Sequence, residues 1–169
     1  MTHEAHEIWR RKEPQWKQLS KLPRAEETVN VIVKDDVTEI WSRGMGLNIY
    51  DLENGDLISS DVINSDGFLL DVFNDGEKYL LQLNDNHVAM LEDKKIILHA
   101  RLSGPVSDAR WCDKKQGWYI CGWREIVFLS AENFEKVTLN EIPIYYDEIR
   151  NLALFNDSKW RHVSLGEEE

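Results

Sequence analysis

The chain has 169 residues, of which 42% are hydrophobic and 30% charged, with a formal net charge of −11 and seven tryptophans. This length and balance describe a folded domain with a sizeable core, and they exclude a disordered chain. The acidic charge argues against a nucleic-acid partner, which needs Lys and Arg gathered on one face to neutralise phosphates.

Residues 1–13 (MTHEAHEIWRRKE) carry no signal-peptide core, and no apolar run approaches the roughly 18 residues of a spanning helix. We therefore expect a cytoplasmic protein with no membrane partner. Residues 6–22 (HEIWRRKEPQWKQLSKL) read in two ways. They form two strands, 7–11 and 16–22, or a helix over 4–21 with Ala5, Ile8, Trp9, Lys12 and Gln15 at helical spacing and Pro14 interrupting it.

From residue 27 the pattern is regular. Strands are predicted at 29–33, 37–41, 46–52 and 56–63, the last two joined by Glu53-Asn54-Gly55-Asp56, whose Asn-Gly pair tolerates positive φ. Further strands follow at 67–73, 78–83, 87–91 and 95–102, then at 106–111, 117–123, 125–130 and 134–142. Asn, Asp and Gly punctuate them as turn residues do. A fourth group begins with strands at 149–155 and 159–165, after a longer connection, PIYYDE, at 143–148.

These groups are copies of one unit. An apolar run ends in Val33, Phe73, Trp111 and Phe155, each followed by an acidic turn, at spacings of 40, 38 and 44 residues. A period of about 40 residues indicates radially arranged or stacked units. FLLDVF, YLLQL and VAML are continuous apolar runs, as in strands buried on both faces, whereas the fourth strands, LISSDVI and EKVTLNEI, are more polar. The expected fold is all-β: four-stranded antiparallel meanders repeated about four times, making a small β-propeller over residues 27–63, 67–102, 106–142 and 149–165. Residues 6–22 complete the last blade in the strand reading, giving a closed four-bladed ring. In the helix reading an open form of three and a half blades results, whose exposed edges need covering by the helix or by a second copy in a homodimer.

The meander, the period and Trp16-x-x-Leu19-x-x-Leu22-Pro23 resemble β-propeller repeats of the WD and kelch type, the last segment resembling a kelch outer strand. The WD dipeptide and the kelch double glycine are absent. In size, acidity and lack of catalytic motifs the chain also resembles the immunity proteins of bacterial toxin systems, including contact-dependent growth inhibition. That resemblance implies a protein that blocks a basic, nuclease-like toxin.

No catalytic constellation emerges, so an enzyme is not expected. Cys112 and Cys121 flank one predicted turn, are too few for a disulfide framework, and have no flanking His to activate them. His87 and His99 fall on one predicted hairpin without a third ligand, so neither a metal nor a cofactor is expected. Asp36, Asp75, Asp113 and Asp157 recur at equivalent turns and read as turn chemistry.

The opposite loop end carries Glu26, Glu27, Asn64, Asp66, Asp85, Asp108, Tyr145, Tyr146, Asp147 and Glu148, with Arg43 and Arg124. Within it we expect Asp66, Asp85, Asp108, Tyr145, Tyr146, Asp147 and Glu148 to bind a basic protein partner, the tyrosines supplying rigid contact area and the carboxylates the charge. The alternative is a small-molecule or glycan-binding propeller that uses Trp41 and Trp123 as stacking platforms, or a general protein-interaction scaffold.

Overall fold

A computed structural model describes the backbone of residues 5–12 and 15–23, and residues 27–64 and 67–166 in full. Every regular element among them is a strand. Residues 5–23 form a hairpin of β1 (Ala5–Lys12) and β2 (Gln15–Pro23), antiparallel from Ala5↔Pro23 to Lys12↔Gln15 with one register shift after Ile8. The helix reading of this segment is thereby excluded; Pro14, which would break a helix, falls between the two strands.

Three four-stranded antiparallel meanders follow. The first is β3 (Thr28–Val33), β4 (Val37–Ser42), β5 (Gly46–Asp51) and β6 (Leu57–Val62). The second is β7 (Leu69–Asp75), β8 (Lys78–Leu83), β9 (His87–Glu92) and β10 (Lys95–Arg101). The third is β11 (Asp108–Cys112), β12 (Gly117–Gly122), β13 (Glu125–Ser130) and β14 (Phe134–Thr138). A last sheet contains β15 (Pro143–Asp147), β16 (Leu152–Phe155) and β17 (Trp160–His162).

The last sheet corrects the register of the fourth repeat. Residues 143–147 are its first strand and not a loop, so Phe155 ends a second strand, whereas Val33 and Trp111 sit at the ends of first strands. The stretched spacing of 44 residues comes from matching unlike strands. Pro143 is the first residue of a terminal strand, where its missing N–H costs no ladder bond. A register shift between Pro143 and Tyr145 accompanies it.

The chain divides into two compact units, Met1–Asp71 and Val72–Glu169. In the first, Thr38 to Trp41 in the middle of β4 are buried; Ile40 and Leu52 form a small core joined by Val31 and Tyr50. Trp41 is fully buried, and its indole N–H donates to the Glu39 carboxylate at 3.3 Å, which Lys34 also reaches at 3.2 Å. Pairing a buried acid this way offsets the cost of removing it from water.

In the second unit, β12 and β13 are buried at every position; the runs YLLQL of β8 and VAML of β9 are buried as expected, whereas FLLDVF is not, since Leu70 of β7 is exposed. Alternate residues serve two cores. Trp118, Ile120, Val127 and Leu129 pack with Leu80, Val88 and Met90 from β8 and β9. Tyr119, Cys121, Ile126 and Phe128 pack with Tyr146, Ala153, Phe155 and Val163 from the last sheet. Three successive sheets are thus joined face to face, and each fully buried aliphatic or aromatic side chain contributes about 1.5–3 kcal/mol. Cys112 and Cys121 are both free. Burial pushes the Cys121 thiol up to about 12, with the Asp108 carboxylate adding to the effect and Arg110 opposing it. That is the behaviour of an inert core residue and not of a nucleophile.

Candidate functional site

Within the second unit the strand ends define two opposite loop ends. At one end lie the β8–β9 turn, the β10–β11 connection, the β12–β13 turn, the β14–β15 connection and the β16–β17 turn. Short backbone bonds hold these together: Leu102 N–H donates to Asn86 O at 2.8 Å, and Leu139 N–H to Arg124 O at 2.7 Å. The Ser107 hydroxyl lies 3.1 Å from Cys121 O and 2.7 Å from Pro143 O, fixing the start of β15 beside the start of β11.

The seven expected partner-binding residues are not gathered on this end. Asp85, exposed in the β8–β9 turn at φ 58°, belongs to it. So does Asp108, which opens β11 and pairs with Arg110 at 3.4 Å. Asp147 and Glu148 lie at the far end of β15, on the opposite loop end. There the Asp147 carboxylate caps its own turn, accepting from Ile149 N–H at 3.0 Å, Arg150 N–H at 3.2 Å and the Arg150 guanidinium at 3.1 Å. Asp66 lies outside the described residues, as does Glu26.

The two tyrosines separate. Tyr146 is 3% exposed, its ring 5.5 Å from that of Tyr119, and its hydroxyl lies 3.0 Å from Asn151 Oδ1 and 3.1 Å from Val163 O. It is a core residue that presents nothing to a partner. Tyr145 is half-buried under the Arg110 guanidinium, 3.7 Å from its ring centre, while Arg110 also donates to the Tyr145 hydroxyl. Half-exposed Trp160 meets the same ring edge-on at 5.7 Å. A bulge after Pro143 upsets simple alternation, so no periodicity argument could have told the two tyrosines apart.

What does converge is a cleft of about 310 Å³ lined by Arg124, Asn140, Glu141, Ile142, Asn156 and Asp157. Three separate connections supply these residues. Arg161 spans its acidic side, donating to Glu141 at 2.8 Å and to Asp157 at 2.5 Å. The Lys159 backbone N–H, at 3.0 Å, is the strongest influence holding the Asp157 carboxyl below its usual value; partial desolvation opposes it and Arg161 reinforces it. The cleft therefore offers carboxylates, side-chain amides and a guanidinium around one isoleucine, a polar rim suited to a peptide or side chain. The sequence reading placed Asp157 among the first turns and so missed it here. The corrected register of the last sheet is what moves it.

Other readings are narrowed. His87 faces Arg101 and His99 faces Ala89, so the two histidines are diagonal neighbours and not opposed. Trp41 is fully buried and is no stacking platform, whereas Trp123 is 44% exposed. Among the described residues no His, Cys, Asp or Glu group of three or more is placed to hold a metal ion.

Repeated antiparallel meanders with buried inner strands and wetter outer ones define the class: the chain has a β-propeller fold. Solved structures agree. The WD40 β-propeller domain of Doa1 matches with a TM-score of 0.65 at 11% identity, covering 92% of this chain and 56% of that one. The WD40 domain of Toxoplasma gondii coronin matches at 0.54 and 11% identity, over 70% and 35%. The Neurospora crassa Pan2 WD40 domain matches at 0.53 and 11% identity, over 77% and 44%. The chain thus spans about half the length of the structures it resembles. No family model matches it, and neither does any curated protein.

Proposed function

We propose that this chain is a non-catalytic protein-binding module whose loop end in the second unit recognises a basic partner. The observation that carries the reading is the cleft between Arg124, Asn140, Glu141, Ile142, Asn156 and Asp157, assembled from three connections on one loop end. Loops positioned by a rigid sheet scaffold are where recognition residues concentrate. The net charge of −11 favours a cationic partner through long-range steering. Arg161 holds Glu141 and Asp157 in place, and an incoming lysine or arginine competes for the same oxygens.

The test uses the tagged protein as bait in its native cell, beside the charge-reversed variant Glu141→Lys/Asp157→Lys. The reading predicts capture of a basic protein by the native bait and loss of that protein with the variant. Unchanged capture by the variant removes the cleft from the interface. A nuclease-like toxin is one partner of this chemistry. For that finer assignment the captured protein must cleave nucleic acid, and one equivalent of this chain must stop it.

A further inference from the structure

β10 is the terminal strand of the second meander. Leu102 N–H donates to Asn86 O at 2.8 Å, so the adjacent pair Arg101↔His87 shares no hydrogen bond of its own. In an antiparallel ladder the N–H and C=O of such a residue point away from the partner strand, and so do those of the residue two positions back, His99. Pairing with β9 is regular from Leu98 to Arg101, after a register shift between Ile96 and Leu98. The outward backbone groups of His99 and Arg101 meet no further strand, and no described residue hydrogen-bonds to them.

Beside this edge the surface is hollow. A cavity of about 400 Å³ separates β10 from the β13–β14 turn, with Leu98, Ala100, Leu129 and Phe134 in its wall. Leu98 and Ala100 pack on the core below, whereas Phe134 is 47% exposed. Ala131 borders this cavity and also a smaller one of about 160 Å³, whose apolar lining includes Met90, Ile97, Trp111 and Trp118. The two hollows thus adjoin along β10.

The opposite face of β10 is polar. His99 and Arg101 alternate with Leu98 and Ala100, and both are exposed; His87, directly across from Arg101, shares their face. β10 carries no carboxylate, and Arg101 forms no ion pair with a described residue. Glu132 lines the larger hollow, and Glu92, in the smaller, is reached by Lys78 at 3.9 Å. Cations on a sheet edge repel a strand of like charge and admit one of opposite charge. A strand with acidic and aliphatic residues in alternation would satisfy the outward backbone groups, place carboxylates against Arg101 and the two imidazoles, and seat its aliphatic side chains in the hollow. We infer that β10 is a docking edge at which an extended peptide of alternating acidic and aliphatic residues adds as a fifth strand. The site stands apart from the cleft at Glu141 and Asp157 and does not depend on what the cleft binds.

The experiment measures backbone hydrogen exchange of the whole protein with a hexapeptide of alternating glutamate and valine, and with its lysine–valine counterpart. At ten times its Kd the glutamate peptide is expected to slow the His99 and Arg101 amides roughly tenfold. In the variant His99→Glu/Arg101→Glu its affinity is expected to fall about tenfold or more. Ala131→Trp, a change at an exposed position that fills the hollow, is expected to weaken it to a similar degree. Protection elsewhere with β10 unchanged, equal binding of the lysine peptide, no protection by either peptide, or undiminished binding by both variants overturns the docking edge. The reading of the cleft fails separately, when the native-cell bait yields no basic protein.

Discussion

The Glu125 carboxylate, 1% exposed, accepts hydrogen bonds from both the backbone N–H of Ser103, at 2.6 Å, and the Ser103 hydroxyl, at 2.9 Å. One side chain at the start of β13 thereby fixes the connection between the second and third meanders. Lys136 lies 3.8 Å from the same carboxylate. Glu125→Ala is expected to cost about 2–3 kcal/mol, because it strands the Ser103 donors, while Glu125→Gln keeps the shape and costs about 1 kcal/mol. Urea denaturation midpoints for the two variants check the order.

The same connection leaves no room at Gly104. A Cβ there would lie 2.5 Å from Trp123 Cβ, which no side-chain rotation moves, and 2.9 Å from its Cγ. Gly104→Ala is expected to destabilise by about 1–3 kcal/mol through overpacking. Thermal unfolding of the variant measures it, and an unchanged midpoint would show that the Trp123 turn yields.

Tyr146 gives the protein an alkaline limit. Burial, ahead of its neighbours Tyr119, Glu148, Asp147 and Cys121, pushes its hydroxyl from 10.0 up to about 12, and Cys121 rises from 9.0 to about 12. Between those values the unfolded chain releases protons that the folded chain keeps. The contribution of these two groups is therefore level below about pH 9 and falls as pH rises from 9 to 12. Tyr146→Phe should cost about 1 kcal/mol at neutral pH by losing its bonds near Asn151 and Val163, while leaving a shallower alkaline decline. Denaturant titrations at pH 8, 10 and 11 follow both effects.

Arg161 should be readable through Asp157. The Asp157 carboxyl titrates below its ordinary 3.8, held there first by the Lys159 N–H and then, against partial desolvation, by Arg161. A depressed value means that its contribution is complete above the unfolded value and is lost as pH falls through the folded one. Arg161→Gln is expected to move the Asp157 titration upward toward 3.8, seen by NMR of the side-chain carboxyl, and to weaken the acid sensitivity of the last sheet.

Much of the fold could be read from strand pattern alone. The strands at 78–83 and 125–130 were predicted to the residue, because β8 and β13 are short apolar runs bounded by unmistakable turns. Strand ends elsewhere differ by a few residues, as at 134–142, where β14 stops at Thr138 and the rest crosses to the next sheet. The last sheet misled for a local reason: with one strand expected through Ile142 and the next from Ile149, residues 143–148 read as a connection, and nothing in the spacing reveals that Pro143 opens a terminal strand.

The candidate site was less legible, because it depends on which strand end each loop serves. With the fourth repeat shifted by one strand, Asp147 and Glu148 were assigned to the wrong end and Asp157 was dismissed as an ordinary turn residue. Tyr145 and Tyr146 are adjacent and chemically alike. Their different fates, one under Arg110 and one in the core, come from long-range packing that one-dimensional pattern does not encode.

The first meander has a further property: no Lys, Arg or His lies between Arg43 and Lys78. Amine-reactive cross-linkers therefore find no lysine anywhere on the β5–β6 hairpin. Trypsin cuts nowhere between Arg43 and Lys78, and the hairpin travels in a single long fragment. Carboxylate-directed labelling, with eight acids in that fragment to report, is the chemistry to which this stretch is visible.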